Sequence, residues 1–77
     1  MQASEVIALV QEALPGSDVE ARFEGSHVHL VVVSELFEGK LPVKRQQMVY
    51  AALNQTIASG AIHAVHMKTA TPGEHSA

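Results

Sequence analysis

The chain has no cysteine and no tryptophan, and its only aromatic residues are Phe23, Phe37 and Tyr50. Without thiols it can form no disulfide, no thiolate zinc site and no thiol redox centre, and it cannot hold an iron–sulfur cluster with its own sulfur. Three aromatics give no stacking platform for single-stranded nucleic acid. The longest apolar run is Leu30-Val31-Val32-Val33, far short of the roughly 18 residues that span a bilayer. Residues 1–10 carry no basic leader before an apolar segment, and a soluble, cytoplasmic domain is expected. The five glycines, Gly16, Gly25, Gly39, Gly60 and Gly73, are too scattered to cradle a phosphate, and no Gly-x-x-Gly is present to clamp a nucleic-acid backbone. No Gly-x-Ser-x-Gly occurs and the carboxylates fall on exposed positions, so no enzyme is expected.

What is present is a chain of 77 residues, 47% of them hydrophobic. Such a chain supports one core and buries about 60% of its unfolded surface, which leaves no room for a large enclosed cleft. Any chemistry belongs on an edge or a loop. The net charge is -3, a weak indication against phosphate binding. Its distribution is uneven: residues 1–38 carry -6 and residues 39–77 carry +3, with Lys40, Lys44 and Arg45 clustered. Such asymmetry fits either a solvated surface or a two-sided docking face. Five histidines also need an account.

Ser4 can cap a helix whose apolar face is Val6, Leu9, Val10, Ala13 and Leu14, ended by Pro15-Gly16. Val19, Ala21 and Phe23 alternate with Glu20, Arg22 and Glu24, the period of a strand with one wet face. Gly25-Ser26 makes a reversal into a second strand, His27–Ser34, whose later half is apolar on both faces and therefore central. After a short connection, Pro42 opens a helix running to about Ser59, and its basic start opposes the helix dipole, which favours a surface role for Lys44 and Arg45. A last strand is read over 61–69. The helix between the second and third strands acts as a crossover joining them in parallel. The expected fold is α+β: one mixed three-stranded sheet with both helices on one face, in a single domain over residues 1–70 that is monomeric alone. Thr71-Pro72-Gly73-Glu74 has the pattern of a capping box, but residues 71–77 are too few for a stable helix and are expected to fray.

His27 and His29, two apart on a strand, point the same way about 6 to 7 Å apart. That spacing suits metal ligation from one edge and equally suits two polar residues on a wet face. His63 and His66 are three apart on a strand and face opposite sides. His63, beside Val65 and Met67, reads as a hydrogen-bonded, partly buried histidine or as a ligand, and His66 and His75 read as surface residues.

Leu36-Phe37-Glu38-Gly39-Lys40, the stretch Val43-Lys44-Arg45-Gln46-Gln47-Met48-Val49-Tyr50, Ile62-His63-Ala64, and Lys68-Thr69-Ala70-Thr71-Pro72-x-Glu74 together resemble the BolA family, and one bacterial subgroup of it most closely. The resemblance covers nearly the whole chain. It implies a fold like a class II KH domain without the Gly-x-x-Gly loop, in the order α-β-β-α-β. It also implies an adaptor that pairs with a monothiol glutaredoxin and shares a [2Fe-2S] cluster in iron–sulfur trafficking or iron homeostasis. The family's C-terminal histidine ligand falls on His63, and its second ligand falls near His27, with His29 as the alternative. The partner's cysteine and glutathione would supply sulfur to the other iron. Lys40, Lys44 and Arg45 are the expected partner-binding residues. The family also includes reported nucleic-acid binders, so a transcriptional regulator contacting DNA through the same three bases is the alternative. The tail departs from the family pattern by stopping where many members continue into a helix.

Overall fold

The computed structural model describes residues 1–76; the last residue of the expected tail, Ala77, lies outside the described residues. The order is α1 (Ala3–Ala13), β1 (Asp18–Glu24), β2 (His27–Val33), a 3-10 turn (Glu35–Phe37), α2 (Pro42–Ala58), β3 (Ala64–Ala70) and α3 (Pro72–Ser76). The strands form one sheet in the order β1-β2-β3, antiparallel between β1 and β2 and parallel between β2 and β3. The α+β class, the mixed sheet and the central second strand are as expected from the sequence.

Period explains the layers. Val28, Leu30 and Val32 alternate along β2 and point to one face, where Val6 and Val10 of α1 and Val49 and Leu53 of α2 meet them. Phe37, from the 3-10 turn, and Ile62, just before β3, close the ends of this core, and both are fully buried. The opposite face of the sheet carries Glu20, Arg22, Glu24, His27, His29 and His66 in exposed or half-buried positions.

Four expectations are corrected. Helix α1 begins before Ser4, with the Gln2 backbone N–H donating to Glu5 Oε1 at 3.1 Å, so the cap lies two residues earlier. Strand β3 starts at Ala64, opposite His27, which leaves His63 in the preceding bend and exposed. The tail folds: Pro72–Ser76 is a short helix, and its capping box forms in both directions, Thr71 N–H to Glu74 Oε1 at 3.0 Å and Glu74 N–H to Thr71 Oγ1 at 3.2 Å. Five residues cannot sustain a helix by themselves; a tertiary tie does it here. Arg45, expected at the surface, is 9% exposed and donates through Nη1 and Nη2 to Glu74 at 2.6 and 3.1 Å and through Nε to the Lys40 carbonyl at 2.8 Å. A bidentate guanidinium–carboxylate pair is the strong form of an ion pair, and it docks α3 against the start of α2.

Two outcomes follow from this packing. Phe37→Ala should cost about 3–5 kcal/mol, a large part of the roughly 5–15 kcal/mol that holds a domain together, and chemical denaturation should find the variant close to unfolded. The Glu74 carboxyl is pulled down to about 2, chiefly by its bond from Arg45 and next by the Thr71 N–H. Because its pKa is lower folded than unfolded, the pair stabilises the protein above pH 4.5 and loses that effect as pH falls toward 2. Glu74→Gln should therefore lower the thermal midpoint at neutral pH, and the gap to the parent protein should close across that acid window.

Candidate functional site

Four of the five histidines, all but His75 of α3, gather at the end of the sheet where the β1–β2 hairpin turns. Gly25 has φ of 60° and is the only residue of the two-residue loop at positive φ, the pattern of a type II′ turn with glycine first. That turn sets Ser26 and His27 at the head of β2. Parallel pairing then aligns His27 with Ala64 and His29 with His66. Since alternate residues of a strand share a face, His27, His29 and His66 all stand on the open side of the sheet.

Their rings touch. His66 stacks on His29 with ring centres 4.7 Å apart and 12° between planes. His27 Nδ1 lies 3.3 Å from His66 Nε2, with ring centres 5.6 Å apart. The planes lie 19° apart, and the facing nitrogens are far closer than the ring centres, so the two rings turn their edges toward each other, as in an N–H···N hydrogen bond. His29 Nε2 is 2.8 Å from Glu24 Oε1, and Arg22 Nη1 is 3.1 Å from the same oxygen. The Glu24 carboxyl is held below its ordinary range, first by the hydrogen bond from Arg22 and then by the nearby charges of Arg22 and His29.

His63 stands at the same end, one residue before the Ala64 that pairs with His27. Its backbone N–H donates to the Ser26 carbonyl at 2.9 Å, and its Nδ1 is 3.0 Å from Ser26 Oγ. It also lines a shallow recess with Tyr50, Ile57 and Val65. Two of the expected site residues, His27 and His63, are thus brought to neighbouring rungs, although no hydrogen bond joins them among the described residues. His29, the alternative ligand, has its Nε2 engaged by Glu24. His66, which the spacing argument set aside as a surface residue, is indeed exposed but belongs to the cluster; the alignment of His29 with His66 is its signal, and that alignment appears only once the strands are paired. Among the described residues no group of three or more His, Asp or Glu side chains is arranged to hold a metal ion.

The basic cluster separates. Lys44 is exposed and Lys40 half-buried, but the Arg45 guanidinium is committed to Glu74 and to the Lys40 carbonyl and also stands 5.8 Å from the Phe37 ring centre. Two cations, not three, are left for a partner at this corner.

A family model for BolA-like proteins matches residues 6–74. The chain is 40% identical over 74 residues to the acid stress protein IbaG of Escherichia coli strain K12, covering 96% of this chain and 88% of that protein. Among solved structures it resembles a bolA protein homologue from Coxiella burnetii, with a TM-score of 0.88 and 32% identity over 100% of this chain and 99% of that one. It also resembles BolA1 from Arabidopsis thaliana, with a TM-score of 0.82 and 28% identity over 94% of this chain and 93% of that one. No helix is long and apolar enough to cross a membrane among the described residues.

The turn at Gly25 carries the site, and nothing lies within 4 Å of a Cβ added there. The penalty of Gly25→Ala is then backbone strain alone, about 1–2 kcal/mol. Denaturant unfolding should show that loss, and the ring resonances of His27 and His63 should move; an unchanged stability would mean that the turn does not depend on positive φ.

Proposed function

The chain belongs to the BolA family, and from that premise we propose that it is a non-enzymatic adaptor that pairs with a monothiol glutaredoxin and shares a [2Fe-2S] cluster with it, in iron–sulfur trafficking or iron homeostasis. The observation that supports this most is the junction at Ser26, where the backbone bond from His63 brings two exposed histidines, distant in sequence, to adjacent rungs at one open end of the sheet. His63 and His27 are the proposed ligands, with His29 second to His27 because Glu24 already occupies its Nε2.

The donor set suits a shared cluster. A [2Fe-2S] centre takes four terminal ligands, two on each iron, as four thiolates or as two thiolates with two histidines. A cysteine-free chain offers nitrogen only, so it can complete one iron while the partner's cysteine and glutathione complete the other. Two-histidine ligation raises the reduction potential above that of all-thiolate ligation; that is the chemistry the cluster brings. The chain's own part is to present two neutral imidazoles at an open surface, and the recess under His63 lined by Tyr50, Ile57 and Val65 offers apolar contact beside them. Lys44, exposed at the start of α2, adds a cation for docking. The nucleic-acid alternative is weaker, because Lys40 and Lys44 without Arg45 neutralise too few phosphates for more than salt-sensitive binding.

Co-expression with a monothiol glutaredoxin and glutathione tests this. The purified complex should show visible absorption and nitrogen couplings in pulsed electron paramagnetic resonance of the reduced cluster. His63→Ala should abolish the nitrogen-ligated signal, leaving at most the glutaredoxin's own cluster, and His27→Ala should weaken or distort it. A nitrogen-ligated spectrum unaltered by His63→Ala would refute the sharing of a cluster through this chain.

A further inference from the structure

A neutral imidazole carries one N–H, and only its other nitrogen can bind a metal. A histidine ligand therefore works only when its second nitrogen has somewhere to donate, and such partners fix both tautomer and ring orientation. At this sheet end, both candidate ligands are engaged through the same atom. His63 Nδ1 meets Ser26 Oγ at 3.0 Å and His27 Nδ1 meets His66 Nε2 at 3.3 Å, while no partner stands on Nε2 of either among the described residues. Each contact can run in either direction, since a serine hydroxyl and a neutral imidazole both donate and accept; with Nδ1–H as the donor, Nε2 keeps its free lone pair, and that is the arrangement in which either ring can take a metal through Nε2. His29 is held the other way round, with Nε2 against the Glu24 carboxylate, an acceptor that demands Nε2–H.

We propose that Ser26 and His66 are positioning residues that hold His63 and His27 in the Nδ1–H tautomer, so that both present Nε2 outward, and that the Glu24–His29 pair supports His66 by stacking beneath it. The inference rests on the cluster-sharing reading for its purpose, but the tautomers belong to the chain alone. Each layer of the support is visible: Arg22 bonds to Glu24, Glu24 to His29, His29 stacks on His66, and His66 reaches His27. On the other side, Ser26 grips His63 twice, by its carbonyl and by its hydroxyl. The same layout separates His27 from His29 as ligands, since the two are held in opposite tautomers. It also makes His66, which is not itself a proposed ligand, necessary to the one beside it.

Long-range proton–nitrogen correlation spectra of the 15N-labelled protein alone, at a pH where its histidines are neutral, read the tautomers directly. His63 and His27 should show a protonated Nδ1 and a bare Nε2, and His29 the reverse. Ser26→Ala should release His63, and His66→Ala should release His27, toward the Nε2–H form, each without changing the other ring. Ser26→Thr and His66→Gln, which keep an acceptor, should restore the parent pattern. In the complex with monothiol glutaredoxin, the two alanine variants should lose the cluster to a chelator about two- to tenfold more readily, and the conservative variants should not. Nε2–H tautomers of His63 or His27 in the parent protein, or rings indifferent to both alanine substitutions, would overturn the proposal whether or not a cluster forms. Correct tautomers in a chain that acquires no nitrogen-ligated cluster would instead leave the orientation standing and remove the cluster-sharing reading.

Discussion

The parallel pairing of β2 with β3 is the constraint on which the rest of the site depends. Parallel neighbours need a long crossover, and α2 supplies it, burying Val49 and Leu53 against Val28, Leu30 and Val32 on the way. Once that helix is packed, the register of β3 is set, because a slip of one residue would turn Val65 and Met67 out of the core and His66 into it. Aligning His27 with Ala64 and His29 with His66 is therefore a consequence of core burial, and the histidine cluster inherits its geometry from side chains on the other face of the sheet.

A second tie steadies the opposite end. Arg45 sits in the first turn of α2, where a cation is unfavourable for the helix dipole by a few tenths of a kcal/mol. Its bidentate contact with Glu74 and its bond to the Lys40 carbonyl offset that local cost, because a bidentate guanidinium–carboxylate pair is the strong form of an ion pair and Arg45 is largely shielded from water. One residue thus joins the connection after β2, the crossover helix and the tail. The ion pair also withdraws one charge from the basic corner, leaving the exposed Lys44 and the half-buried Lys40 there.

The sequence is legible wherever a period or a turn residue acts locally. Val6 and Val10, the alternation of β1, Gly25 and the proline at the head of α2 all say where elements begin and which face they bury. Three features resist such reading, each for a physical reason. Ala61-Ile62-His63 alternates as a strand would, but a strand pairs only as far as its neighbour extends, and β2 begins at His27. Arg45 looks like a solvated charge because its partner lies 29 residues further on, and the same contact converts a tail too short for a helix into an ordered one. His66 shows nothing by spacing from His63; its place beside His27 and His29 needs the register, which is a property of two strands and not of either sequence segment.

The proposed cluster-sharing role requires ligands that stay open to water until a partner arrives, and this limits how firmly the chain can hold them. Hydrogen bonds at an exposed position contribute about 0.5–1.5 kcal/mol net, which biases a tautomer by roughly two- to tenfold and does not lock it. In the proposal Ser26 and His66 therefore act by population: they raise the share of chains that present Nε2, and a metal arriving at that nitrogen takes up the remainder at little further cost. The stacked His29–Glu24 pair matters in the same way, because a ring packed on one face loses less freedom when its edge makes a hydrogen bond than a ring free in solvent. A cysteine-free chain has no thiolate to attract iron by charge. On the proposed reading its contribution to a shared site is orientation, and this end of the sheet, with each candidate imidazole engaged at one nitrogen and open at the other, is suited to supply it.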